Sequence, residues 1–212
     1  MIDKKRGLLI VISGPSGAGK GTICKELLEK NDNLLLSVSA TTRSPRNGEV
    51  DGVNYHFLSK ENFITRIEKN DFLEHAEVYG NYYGTPKSNV DEMLDSGRDV
   101  ILEIDIQGAL KVKENTEEGV FIFILPPSME ELRQRIINRG SETPESLMKR
   151  FKSAYKEINF VSKYNYAVVN DEVDVAVEKL EAIILAEKCR VDRLKHSILD
   201  SKEDLIHEQL YD

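Results

Sequence analysis

The chain has 212 residues, of which 40% are hydrophobic and 31% charged, enough to bury one good core with one or two small appended lobes. Its formal net charge of −8 argues against a polynucleotide partner, whose phosphate backbone repels an acidic surface, but leaves a mononucleotide open, because local basic clusters decide that. No apolar run is long enough to span a bilayer, the N-terminus Met1-Ile2-Asp3-Lys4-Lys5-Arg6 lacks a signal-peptide pattern, and Cys24 and Cys189 have no metal-ligand spacing, so a cytoplasmic protein with reduced thiols is expected.

The first element is the β-branched run from Leu8 to Ser13, which predicts a buried strand. It leads into Gly14-Pro15-Ser16-Gly17-Ala18-Gly19-Lys20-Gly21-Thr22 and then the helical spacing Ile23, Leu27, Leu28. Strand, glycine turn and helix form the context of a phosphate-binding loop. The glycines let successive N–H groups curl around an anion, the helix N-terminus adds partial positive charge, and Lys20 is placed to reach the β- and γ-phosphates. The residue after the lysine, normally the Ser or Thr that touches Mg²⁺, is Gly21, and Thr22 comes one residue late. The metal contact is therefore open at this point.

Four more strands are predicted at Leu34 to Ser39, Val100 to Asp105, Val120 to Leu125 and Tyr166 to Val169. Helical patterns separate most of them, so a parallel α/β sheet is expected, with ligands at the carboxyl ends of its strands. Residues 41–87 interrupt the alternation with tyrosines, glycines and short alternating runs, which predict an inserted mixed β lobe. Residues 126–164 form a second insert, arginine-rich and helical, with Ser128 as one N-cap and Thr143-Pro144 as another start. The core is then 1–40, 88–125 and 165–212. From Val173 onward the apolar spacing predicts one long helix; its first half is expected on the sheet, and the part past Cys189 is a candidate homodimer surface.

Charged residues gather where such a sheet would bind ligands. Arg43 and Arg46, three apart around a proline, suit phosphate oxygens, although a lone Arg-Ser-Pro-Arg is equally a solvated basic turn. The lobe adds Tyr55, Glu74, Tyr82, Tyr83 and Thr85. A carboxylate such as Glu74 can accept both N1–H and N2–H₂ of guanine, whereas adenine offers no matching donor pair. Glu103 and Asp105 end a buried strand facing the loop, the place of the acidic element that holds Mg²⁺ and its waters in P-loop enzymes; for Asp105, capping the next helix is a serious rival. Arg135 and Arg139 share a helix face, with Lys149-Arg150 beyond them.

Together, GPSGAGKGT, SATTRSPRNGE, FLEHAEVYGNYYGT, LEIDIQG, the RxxxRG and later KR, and VVND resemble the guanylate kinase family of nucleoside monophosphate kinases over nearly the whole chain. The resemblance implies a P-loop core that binds ATP with Mg²⁺, a lobe that binds GMP or dGMP, and an arginine-bearing lid. It implies that Ser39 and Glu74 read guanine, that Arg43, Arg46, Tyr55 and Tyr83 hold the GMP phosphate, and that Thr85 and Glu103 belong to the same site. Gly14 to Thr22 and Asn170 would hold ATP, with Asn170 near the adenine. Lys20, Arg43, Arg135, Arg139 and Arg150 would supply catalytic charge, with Asp105 and Thr22 as Mg²⁺ candidates. Two rival readings are a non-catalytic peptide-binding module of the same fold and a kinase for another monophosphate. Intact Gly14, Gly17, Gly19 and Lys20 count against the first, and Glu74 with Ser39 against the second.

Overall fold

The computed structural model describes residues 6–78, 80–116, 118–138 and 144–194. The described strands are β1 (Leu9–Ser13), β2 (Leu34–Leu36), β3 (Ala40–Thr41), β4 (His56–Phe57), β5 (Phe72–Val78), β6 (Asn81–Pro86), β7 (Asp99–Glu103), β8 (Val120–Leu125) and β9 (Tyr166–Val169). The helices are α1 (Lys20–Lys30), α2 (Lys60–Glu68), α3 (Lys87–Asp95), α4 (Ile106–Asn115), α5 (Met129–Asn138), α6 (Pro144–Ile158) and α7 (Val173–Lys188).

Five strands make a parallel sheet in the order β2-β7-β1-β8-β9. Both faces of β1 are covered, which is why its sequence is apolar without alternation. Ile10 and Ile12 pack with Ile23 and Leu27 of α1 and with Val177 and Leu180 of α7. Leu9 and Val11 point the other way, onto Val90 and Leu94 of α3 and Ala109 and Val112 of α4. Each such buried side chain contributes roughly 1.5–3 kcal/mol of transfer free energy. The central position of β1 sets the loop that follows it at the middle of the sheet's carboxyl edge.

A second, mixed sheet runs β4-β3-β6-β5, with β3 and β4 parallel and the other pairings antiparallel. It has its own small core of Ala40, Phe63 and Phe72, the two rings stacked at 4.4 Å between centroids. The helices α5 and α6 bury a third group, Leu132, Ile136 and Ala154.

Three expectations change. The strand predicted from Leu34 to Ser39 is two: β2 stops at Leu36, Ser37 gives one last N–H bond to Ile101 O (2.9 Å), and the chain crosses to the second sheet, where Ser39 O accepts from His56 N (2.9 Å). The lobe read as β also contains α2, capped by Ser59, whose Oγ accepts from Asn62 N. Its signal was present in Ser59 followed by Phe63 and Ile67, four apart. The long C-terminal helix is interrupted after Lys188, where Cys189 N donates to Ala186 O (3.0 Å), and residues 191–194 are helical again. Val191 is exposed, and Ile198, with the rest of the candidate dimer surface from residue 195 on, lies outside the described residues.

Candidate active site

The loop after β1 holds Gly14, Gly17 and Gly19 at φ +147°, +90° and +90°, the region that glycine alone adopts without strain. Space forbids side chains as well. A Cβ on Gly14 would fall 2.3 Å from Ile124 O, and one on Gly19 2.2 Å from Asn170 Nδ2. Lys20 opens α1 and folds its ammonium back over the loop, where Nζ donates to Gly14 O (2.6 Å) and Pro15 O (3.2 Å). Pro15 and Ala18 are buried, Ser16 and Gly19 are half-buried, and Gly21 and Thr22 are exposed on the first helical turn.

Asn170, which the resemblance sets near adenine, is buried beneath the loop. Its Nδ2 donates to Ala18 O (2.8 Å), leaving Oδ1 with no protein partner. Arg135 reaches the same place from α5, donating from Nη1 to Asn170 O (3.2 Å) and from Nε to Glu131 (3.0 Å). Glu131 thereby neutralises Arg135 locally, the plainer of the two roles open to that arginine. Arg150 is exposed on α6, and Arg139 lies outside the described residues.

Across the carboxyl edge, Ser39, Tyr55, Glu74, Tyr83 and Asp105 line a cavity of about 310 Å³. Thr85, buried on β6, donates its hydroxyl to Glu74 Oε1 (2.8 Å). Burial pushes the Glu74 carboxyl above the usual carboxylate range, and Asp105 adds repulsion, while the Thr85 bond opposes both. The two carboxylates meet at Gly108, where a Cβ would lie 3.3 Å from an oxygen of each.

Arg43 is 16% exposed at its side chain, ion-paired with Glu49 (2.9 Å) and set over the Tyr55 ring at 5.5 Å. Glu49 holds the guanidinium above its ordinary value. The carboxylate also accepts from the Arg46 backbone N–H (2.7 Å), so it fixes the whole turn, while the Arg46 residue stays exposed. The turn predicted to suit phosphate therefore carries a carboxylate of its own, in an Arg-x-x-Glu spacing that was legible at residues 46 and 49.

Two acidic residues at the end of β7 take different positions. Glu103, assigned to the GMP site, ends β7 beside α1: a Cβ on Gly21 would stand 3.5 Å from its Oε1. Asp105, assigned to the metal, caps α4 by accepting from Gly108 N (2.7 Å) and lines the Glu74 cavity. The reason is the strand end. Residues two apart in a continuing strand would share a face, but β7 ends at Glu103 and Asp105 is already the N-cap of α4, so the turn between them brings Asp105 to the border of the lobe and leaves Glu103 beside α1. The space vacated at Gly21 by the missing hydroxyl is faced by a carboxylate.

A second cavity, about 360 Å³, is lined by Gly14, Ser16 and Lys20 of the loop, by Asp105, and by Lys156 and Glu157 of α6. Asp105 thus borders both cavities, which adjoin through it.

A phosphate loop, a cavity of about 310 Å³ walled by Glu74 and a shared acidic border narrow the fold to a nucleotide-phosphorylating group, and comparison with known proteins decides which. The family model described as guanylate kinase matches residues 6–187. The chain belongs to the guanylate kinase family. A guanylate kinase of Clostridium perfringens (strain SM101 / Type A) is 80% identical over 207 residues, covering 98% of this chain and 96% of the relative. One from Clostridium tetani (strain Massachusetts / E88) is 74% identical over 208 residues, covering 98% of this chain and all of the relative. Among solved structures, the guanylate kinase of Anaplasma phagocytophilum is 37% identical, with a TM-score of 0.71 over 91% of this chain and 92% of that one. Among the described residues no helix is long and apolar enough to cross a membrane.

Proposed function

We propose that the paired cavities carry out ATP-dependent phosphorylation of GMP to GDP, with ATP on the loop and GMP between Glu74 and Arg43. The observation that carries this is Asp105 at the border of both cavities, which sets the guanine-reading carboxylates and Lys20 on one continuous edge.

Glu74 and Asp105 accept from the guanine N1–H and N2–H₂, with Ser39 on another part of the base. Arg43, Arg46, Tyr55 and Tyr83 hold the acceptor phosphate. The loop from Gly14 to Thr22 holds the ATP phosphates, and Asn170 keeps that loop in shape from below. The acceptor phosphate, with a second pKa of about 6, is largely dianionic at neutral pH and needs no general base. The protein's work is to bring two repelling anions into line and to stabilise charge as the phosphoryl group passes between them. Lys20, Arg43, Arg135, Arg139 and Arg150 are the charge supply. Closure of the lobe and the α5–α6 lid excludes water, which limits wasteful hydrolysis.

Mg²⁺ with ATP fits the hard oxygen donors near the loop, Thr22 and Glu103 beside Gly21 and Asp105 on the wall of the loop cavity, because such a site uses one or two carboxylates plus phosphates. When bound, it neutralises phosphate charge. A place in the cytoplasm accords with two unpaired cysteines, Cys24 buried and Cys189 exposed. The deoxy nucleotide dGMP is a second acceptor, since the base and phosphate contacts do not involve the 2′-hydroxyl. The test is a coupled assay of ADP formation from ATP with GMP, dGMP, AMP, CMP and UMP in turn. Turnover restricted to the guanine nucleotides is expected; equal use of AMP would remove the guanine assignment.

A further inference from the structure

We propose that Lys156, on the lid helix α6, is a further catalytic cation that touches the transferring phosphoryl group. The proposal rests on the reading of the loop given above and adds a residue that neither the loop motif nor the arginine pattern of the lid identifies.

Lys156 lines the same cavity as Gly14, Ser16 and Lys20. These are the first residues of the phosphate loop and its lysine, the part of such loops that faces the β- and γ-phosphates. An ammonium on the opposite wall therefore faces the group being transferred. Lys156 reaches the wall by helical spacing: Ser153, Lys156, Glu157 and Phe160 all line the cavity, at intervals of three and four along one face. The two neighbouring polar groups are engaged with each other, Ser153 Oγ donating to Glu157 Oε1 at 2.9 Å. Lys156 forms no ion pair with any described carboxylate, Glu157 included, although carboxylates of Glu157 and Asp105 line the same cavity.

Two other candidates carry less. The cavity of about 410 Å³ at the opposite end of the sheet is flanked by Arg6 and Arg193, but both are already paired, with Asp91 and Glu118. The buried hydroxyls of Ser13 and Tyr164 under the loop face each other, and nothing aims a ligand between them.

Charge is what Lys156 supplies. As the phosphoryl group leaves ADP, its negative charge spreads over the equatorial oxygens, and a second lysine opposite Lys20 stabilises that distribution more than the ground state. No bond forms to Lys156 and no proton moves. The flexible, hydrated stem suits a group that arrives only as the lid closes.

The test is steady-state kinetics of Lys156→Met, Lys156→Gln and Lys156→Arg beside Lys20→Ala, with thermal melts of each. The expected result is a kcat for the Met and Gln variants lower by roughly ten- to a hundredfold, with KM for ATP and GMP within about threefold, unchanged melting, and recovery in Lys156→Arg to within about threefold of the parent. Full kcat in both Met and Gln variants while Lys20→Ala is inactive would overturn the role of Lys156 and leave the loop reading intact. Full kcat in Lys20→Ala would overturn the loop reading itself. Equal losses in all three Lys156 variants, or a shared fall in melting temperature, would mark a structural role and also overturn the proposal.

Discussion

Thr85 holds Glu74 from behind, its hydroxyl donating to Oε1 at 2.8 Å on the wall of the cavity that Glu74 and Asp105 share. The bond leaves Glu74 Oε2 on the side of Gly108 and Asp105 and fixes the direction in which the carboxylate accepts. Glu74→Gln keeps the shape but presents a donor to a guanine donor. The expected outcome is a fall in kcat/KM for GMP on the order of a hundredfold, with KM for ATP nearly unchanged. IMP, which lacks the 2-amino group, should be a poor substrate of the unmodified protein. Comparable kcat/KM for GMP in the variant and the parent would remove Glu74 from base reading.

The same pair sets a pH dependence. The ionised carboxylate is the form that accepts from guanine, and burial raises the Glu74 pKa. Base binding is therefore complete above the raised pKa and lost as pH falls through it, at a higher pH than an ordinary glutamate would give. Folding runs the other way. A carboxyl whose folded pKa is raised binds its proton more tightly in the native state, so this group adds stability as pH falls from the folded towards the unfolded value. Thr85→Val removes a bond that lowers the pKa and should move the acid limb of binding upward. Calorimetry with guanosine, which has no phosphate to titrate, measures both; an unmoved limb in Thr85→Val would show that another group titrates.

Much of this arrangement was readable in the chain because it depends on short-range chemistry. The loop glycines, the apolar strands and the Ser128 cap, which accepts from Glu131 N at 3.0 Å, announce themselves within ten residues. What the chain did not disclose depends on distant partners. Whether Glu103 or Asp105 would face the base could not be decided without the exit angle of β7. The place of Asn170 beneath the loop depends on Ala18, far away in sequence, and the buried Glu187 of α7 is held by Tyr166 Oη of β9 at 2.6 Å. Lys156 belongs to no motif; only the cavity singles it out.

Gly19 combines two constraints, a positive φ and the Asn170 amide 2.2 Å from where a Cβ would stand. Gly19→Ala should lower turnover by on the order of a thousandfold, since the loop must deform at the place that cradles the phosphates, and should also lower the melting temperature. Asn170→Ala in the same chain removes the steric half of the problem but not the backbone half. The double variant should regain part of the melting temperature and little of the turnover. Full additivity of the two single effects would indicate that the residues do not meet in the way described.

On the proposed reading, Glu49 positions the groups that hold the acceptor phosphate. It pairs with Arg43 at 2.9 Å and accepts from the Arg46 backbone N–H at 2.7 Å, so one carboxylate fixes both the Arg43 guanidinium and the backbone of the turn. Glu49→Gln keeps the size and loses the charge. KM for GMP should rise roughly tenfold with kcat within about threefold, because the acceptor is misplaced before the chemistry rather than during it. Glu49→Asp should recover part of the loss. A fall in kcat with KM unchanged would instead put Glu49 in the transition state.

The last expectation concerns closure. The second sheet and the α5–α6 pair have cores of their own, around Phe63 and around Leu132, distinct from the two cores that clamp the parallel sheet. Bodies with separate cores move against one another more readily than one continuous core deforms, since packed interiors resist strain. The lid touches the loop where Leu132 and Ile136 approach Gly17, at 3.1 and 3.0 Å from its Cβ position, so ATP on the loop is felt directly by α5. GMP between Glu74 and Arg43 spans the second sheet and the Asp105 border. On the proposed reading each nucleotide bridges one of these bodies to the core, and the pair together is expected to bring both inward. Small-angle scattering should show a small contraction with GMP or a non-hydrolysable ATP analogue alone and the largest with both. Lys20→Ala should reduce the contraction caused by the ATP analogue and spare that caused by GMP. An identical radius of gyration in all four ligand states would mean that the cavities are already in their working positions, and that phosphoryl transfer proceeds without closure of the lid.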